Sequence, residues 1–191
     1  MASEGPKSPA TTVDDASVGT VAWSTPNNSQ ASDNSYATAT LVSPTQTHYL
    51  KATNFGFSIP SGATIDGIVV EAEVSEIDID GQGNDYRARI VKGGTIGATD
   101  KANATTWGTT DTYLSHGGIT DLWGETWTAA DINAANFGFA LSAQLVTGTS
   151  LLPQIDHIRI TVYYSQTAGT LLSPIPQMEM QNFYKEVLLT Y

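Results

Sequence analysis

Apolar and polar positions alternate most clearly over residues 65–79. Ile68, Val70, Ala72 and Val74 share one face there, and Glu71 and Glu73 share the other. Residues 155–164 repeat the pattern, with Ile158, Ile160, Val162 and Tyr164 on one side and His157, Arg159, Thr161 and Tyr163 on the other. A period of two predicts half-buried β-strands. Shorter stretches of strand character lie at 19–24, 36–42, 48–51, 55–59, 86–91 and 137–143. Turn chemistry separates them. Pro60-Ser61-Gly62 stops one strand, Gly81-Gln82-Gly83-Asn84 predicts a hairpin, and Gly93-Gly94 ends its return strand. Thr128-Ala129-Ala130-Asp131 fits a capping box and predicts a single helical turn. About eight to ten short strands and so little helix predict an all-β fold. The expected form is an antiparallel two-sheet sandwich, jelly-roll or Greek-key-like, with extended N- and C-terminal arms.

The pattern also recurs at longer range. Asn54-Phe55-Gly56-Phe57 returns as Asn136-Phe137-Gly138-Phe139, with Trp23 standing 31 positions before the first and Trp107 29 before the second. Each copy is followed by an Ile-Asp strand start, at Ile65-Asp66 and Ile155-Asp156. This predicts a domain at 19–165 built from two similar halves that pack on each other. Residues 1–18 are small and polar and read as an N-terminal arm. Residues 166–191 read as a C-terminal arm of different texture. Leu171, Leu172, Ile175, Phe183, Tyr184, Val187, Leu188, Leu189 and Tyr191 make it too apolar for a free solvated tail. They are the predicted partner contacts.

Composition narrows the function. Only 14% of residues are charged, and 8 bases face 19 acids for a net charge of −11. A chain that tracks phosphates needs clustered Lys and Arg, so neither nucleic acid nor an anionic membrane is an expected partner. No cysteine occurs in the chain, which excludes disulfides, thiolate zinc and cysteine nucleophiles. The opening residues have no apolar core of signal-peptide type, so synthesis in a cytoplasm is expected.

Candidate chemistry is sparse. His48, His116 and His157 lack metal-ligand spacing and read as single surface or loop histidines. Glu76, Asp78 and Asp80 alternate along one strand, and Asp85 follows the predicted turn. Their oxygens suit calcium in type, but the closing carboxylate of a calcium loop is replaced by Arg87. The other reading is a charged edge strand that resists unwanted pairing. No G-x-S-x-G or phosphate loop occurs, and no cofactor or catalytic residue is expected. Trp23 and Trp107 hold matching places in the two halves and read as core. Trp123 and Trp127 lie outside the repeat and are the candidates for a surface aromatic contact.

Three runs carry a resemblance. They are Ala31-Ser32-Asp33-Asn34-Ser35-Tyr36-Ala37-Thr38, then Leu50-Lys51-Ala52-Thr53-Asn54-Phe55-Gly56-Phe57-Ser58-Ile59-Pro60, and the segment from Asp121-Leu122-Trp123-Gly124 through Trp127-Thr128 to Ala130-Asp131-Ile132-Asn133. Over about residues 10–165 the chain resembles β-sandwich structural proteins of tailed-phage and prophage virions. The resemblance implies a non-enzymatic virion component, most simply a capsid decoration protein attached through its arms. Its implied partners are other virion proteins, namely the major capsid protein or neighbouring copies, in a homo-oligomer such as a trimer. The alternative is a carbohydrate- or receptor-binding module of a fibre or tail.

Overall fold

The computed structural model describes residues 1–43 and 45–166, without the side chains of Asp78 and Ile79. The described chain is all-β, with one large antiparallel sheet. Its spine is a ribbon of two long strands, β6 (Thr64–Lys92) and β9 (Gly138–Ser165), paired from Thr64↔Ser165 to Val91↔Gly138. The shorter strands flank this ribbon. β1 (Ala2–Lys7), β3 (Ala37–Thr38) and β4 (Leu41–Val42) line β9 from its C-terminal end back to its middle. β8 (Thr112–Gly118) lines the N-terminal half of β6. At the other end, β5 (Tyr49–Thr53) pairs with β9, β2 (Thr11–Asp15) pairs with β5, and β7 (Thr95–Ile96) pairs with β6.

The predicted hairpin at residues 81–84 does not form; β6 continues through it, still paired with β9. The glycines answer a different need. A Cβ on Gly81 would sit 2.6 Å from Leu145 Cδ1, and one on Gly83 would sit 2.4 Å from Leu151 Cδ2. Gly148 carries φ +85°, and its Cβ would meet the Asp80 carbonyl oxygen at 1.8 Å. The ribbon folds over here. Seven residues of extended strand span about 23 Å, yet the Glu76 carboxylate accepts a hydrogen bond from the Gly83 amide at 2.9 Å. Register shifts between Asp78 and Asp80, between Asp80 and Gly81, and between Gln82 and Gly83 supply the bend.

Folding the ribbon turns its two arms toward each other. Ile68, Val70, Ala72, Val74, Ile158, Ile160 and Val162 from one arm share a core with Ala88, Ile90, Phe139, Leu141 and Ala143 from the other. The alternation over residues 65–79 and 155–164 therefore marks the core face as expected. Trp123 joins the arms. Its ring lies 5.9 Å from Phe139 in an edge-on contact, and its indole N–H donates to the Ile68 carbonyl at 3.0 Å. Asp85 is a second tie. It accepts from the Trp107 indole at 3.0 Å and the Asn103 amide at 2.8 Å, and it pairs with His116 Nε2 at 2.7 Å.

Other expectations change. Residues 1–18 are not a free arm, because β1 and β2 lie in the sheet. Lone edges of β9 and β5 leave backbone groups unpaired, and these segments satisfy them whatever their polarity. Residues 19–24 and 55–59 are irregular rather than strands. The two Asn-Phe-Gly-Phe copies differ in backbone. Asn54 and Gly56 are both left-handed, at φ 61° and 67°. Gly138 is a strand residue, whose Cβ would lie 1.9 Å from the Ala52 carbonyl oxygen. All four phenylalanines are nonetheless buried, and Phe55 and Phe57 pack on Phe137 at 6.4 and 5.8 Å. The helical turn forms as predicted. In α1 (Ala129–Asn133) the Thr128 hydroxyl accepts from the Asp131 amide, and the Asp131 carboxylate accepts from the Thr128 amide.

Candidate functional site

The outward positions of the first arm form a rigid polar face. Pairing places Tyr113, Glu73 and His157 in one row and Ser115, Glu71 and Arg159 in the next. Gly117, Val69 and Thr161 follow, and then Gly67 and Tyr163 with Ser3. Arg159 organises the middle. Its Nε and Nη2 donate to the two Glu71 oxygens at 2.9 and 3.0 Å, and its guanidinium carbon stands 3.8 Å from the Tyr113 ring centre. The hydrogen bonds to Glu71 hold the Arg159 pKa above its ordinary value. A two-point bond of this kind fixes the guanidinium plane, and the plane fixes the ring beneath it. Tyr113, Glu71, Arg159, Thr161 and Tyr163 are half-buried, and Ser115 and Gly117 are exposed.

One end of the face is closed by a hydrogen-bonded chain. His157 Nδ1 is bonded to the Tyr113 hydroxyl at 2.8 Å, and its Nε2 to the Ser8 hydroxyl at 2.8 Å. Burial lowers the His157 pKa, with Arg159 acting in the same sense and Glu73, Asp156 and Glu71 opposing. Burial also raises the Tyr113 pKa, helped by Glu73. One oxygen of Glu73 is enclosed and takes no hydrogen bond from a described residue. Residues 30–36 fold over this end. The Asp33 and Asn34 amides donate to the Asp156 carboxylate at 3.3 and 3.2 Å, and burial still raises the Asp156 pKa. The Tyr36 hydroxyl donates to Asp111 at 2.8 Å, and that bond pushes the Tyr36 pKa up to about 12. Asp111 also accepts from Ser75 at 2.6 Å.

The residues singled out from sequence lie elsewhere. Trp123 is fully buried at 0% exposure, so it is a core residue and not a surface contact. Its φ of 58° turns the ring inward, where the Ile68 carbonyl satisfies its N–H. Trp127 is half-buried. It stands edge-on to Phe137 at 5.4 Å, donates to the Leu122 carbonyl at 2.9 Å and lies under the Lys92 ammonium at 5.2 Å. The two tryptophans therefore form no exposed pair. Trp23 and Trp107 are buried, as core readings require.

The acids read as a possible calcium set are dispersed by the fold. Glu76 and Asp85 are buried and bonded to Gly83, Asn103, Trp107 and His116, and Asp80 accepts from Thr149 at 2.8 Å. The Asp78 side chain lies outside the described set. No three of His, Cys, Asp or Glu converge on a metal-sized site among the described residues. The histidines are not lone surface groups either. His48 Nδ1 pairs with Asp14 at 2.8 Å, His116 is 2% exposed against Asp85, and His157 is 8% exposed. The nine partner-contact candidates, from Leu171 to Tyr191, lie outside the described residues.

No protein-family model matches the chain, and no curated protein does. Two solved structures are similar at low level. One is a CBM4 chain, with 12% identity, a TM-score of 0.37, and coverage of 78% of this chain and 92% of that one. The other is the N-terminal cellulose-binding domain of Cellulomonas fimi β-1,4-glucanase C, with 12% identity, a TM-score of 0.36, and coverage of 87% and 95%. Both scores are too low to set a fold or a ligand.

Proposed function

We propose that the protein is a non-catalytic binding β-domain, folded as a two-sheet sandwich, whose polar outer face takes a carbohydrate. One observation carries this reading: the half-buried Tyr113 ring, with one face under the Arg159 guanidinium that Glu71 fixes, shares a polar surface with exposed Ser115 and half-buried Thr161 and Tyr163. A sugar offers an apolar ring face to an aromatic and a rim of hydroxyls to charged and hydroxyl side chains. A preformed surface with both features binds it at low ordering cost. The test is calorimetric titration of glucan, mannan and peptidoglycan fragments into the wild type and Tyr113→Ala. Saturable binding that the substitution abolishes supports the reading. Equal binding by both proteins, or none by the wild type to any glycan, overturns it.

The second reading is a virion structural protein, most simply capsid decoration. It is favoured by the concentration of large apolar side chains after residue 166 in a chain otherwise rich in small polar residues. Each such side chain buried in a partner contributes roughly 1.5–3 kcal/mol before ordering costs. Repetition over a shell then multiplies weak contacts into firm attachment. Mass spectrometry of purified particles decides it, because a decoration protein is found at stoichiometry with the shell and a secreted binding module is absent.

A further inference from the structure

The hydrogen-bonded chain at the His157 end has a direction. An ionised carboxylate takes only donors, so the Tyr113 hydroxyl gives its proton to Glu73, a contact that adds to burial in raising the tyrosine pKa. The Tyr113 oxygen is then an acceptor, and His157 Nδ1, 2.8 Å away, carries the hydrogen. That leaves the lone pair of Nε2 facing Ser8, whose hydroxyl donates to it at 2.8 Å. The donations therefore run one way, from Ser8 through His157 and Tyr113 to Glu73. Ser8 is exposed, while His157 is 8% exposed. The serine is held from both sides. β1 ends just before it, with Lys7 opposite Ile160. Pro9 follows it, is buried, and narrows Ser8 to extended backbone.

We propose that Ser8 is an acyl acceptor, whose hydroxyl attacks activated aryl esters with His157 as general base and with Tyr113 and Glu73 positioning the imidazole. The bond from Ser8 Oγ to the acyl carbon forms, and the bond from that carbon to the phenoxide oxygen breaks. The serine proton passes to His157 Nε2 and from there to the phenoxide or to water. A nucleophile bonded to a base, with the base oriented by a third group, is the arrangement such attack requires. Pro9 sets the limit of the reaction. In hydrolases with an exposed nucleophilic serine, the amide of the next residue helps hold the oxyanion, and proline has no amide hydrogen. Donors with good leaving groups therefore react, and water releases the resulting ester slowly. Ser8 is thus a site of single covalent modification, which is compatible with a non-catalytic domain and does not rest on glycan binding.

The test treats the full-length chain with p-nitrophenyl acetate. Nitrophenolate release should accompany one acetyl group that peptide mass spectrometry maps to Ser8. Ser8→Ala should remove that adduct, and His157→Gln should slow its formation about 100-fold, a general base's usual contribution. Unchanged hydrogen exchange over residues 158–162 in the His157 variant separates loss of the base from loss of the fold. The pH profile of the wild type reads the base without any substitution. Burial holds the His157 pKa below 6.5, with Arg159 acting in the same sense and Glu73, Asp156 and Glu71 opposing. Tyr113 faces the same ring. Acylation of Ser8 should be level just above pH 6.5 and fall as pH drops through the folded value, because only the neutral imidazole accepts the proton. Acetyl groups on the Met1 amine or the lysines with none on Ser8 overturn the proposal. So does equal acylation of Ser8 in His157→Gln, or a wild-type profile with no inflection below pH 6.5.

Discussion

The two arms of the β6–β9 ribbon share one core but differ on their outer faces. On the arm formed by β2, β5, β7 and the halves of β9 and β6 next to them, the outer face is covered. Tyr49, Val91 and Ala140 are buried there, with Val18 and Ile96 packed over them. The cations around that cluster are neutralised: Lys51 pairs with Asp15, and Asp100 serves both Arg87 and Arg89. On the opposite arm, Tyr113, Arg159, Glu71 and Tyr163 stand without an apolar cover among the described residues. The same strands thus make a buried second layer at one end and an accessible polar field at the other. Loop placement accounts for the difference. The segment carrying Val18 crosses the first face, while residues 30–36 close only the His157 end of the second.

The contrast is best broken at the residues common to both arms. Trp123→Ala empties a fully buried site between them and should cost about 3–5 kcal/mol in a urea titration. A loss under about 1 kcal/mol would return Trp123 to the surface. Asp85→Ala strands the Asn103, Trp107 and His116 donors in the interior and should cost about 3 kcal/mol. The faces themselves separate next. Val91→Ala on the covered face should cost about 1–2 kcal/mol. Tyr163→Ala on the open face should cost under about 1 kcal/mol while weakening glycan affinity. Equal losses of stability from these two variants would erase the distinction between the faces.

The smallest expected effect is a pH dependence on the open arm. Burial depresses the His157 pKa below its ordinary 6.5. Its contribution is therefore full above pH 6.5 and is lost as pH falls through the lower folded value. Asp156, raised above 3.8, has the opposite sign in a more acidic window. Its relative contribution is full below 3.8 and is lost as pH rises through the folded value. His157→Gln should flatten the stability profile just below pH 6.5 and leave the profile above it unchanged. An unaltered slope below 6.5 would show that Ser8 and Tyr113 do not enclose a neutral imidazole.

Much of the arrangement was legible along the chain. Alternation named the core face of both long strands, and the outward residues Glu71, Glu73, His157 and Arg159 were visible in the same alternation. What alternation could not show is that Glu71 meets Arg159 or that His157 meets Tyr113 and Ser8, because those pairs are set by register between distant strands. Glycine misled at Gly81 and Gly83, where close approach of neighbouring atoms, and not a reversal of the chain, excludes a side chain. Trp123 misled because a repeat argument says nothing about a residue outside the repeat. Residues 1–18 misled because polarity disfavours burial of side chains but does not prevent backbone pairing at an edge.

The sequence alone determined that the chain is all-β, which faces of residues 65–79 and 155–164 are apolar, and where its helical turn begins. Those properties follow from local spacing and local hydrogen bonding. Only the tertiary structure decided that one ribbon runs through a sequence that reads as a hairpin, which face is covered, and which polar residues meet. Those follow from strand register and from the bend at Glu76 and Gly83, and short-range pattern carries neither.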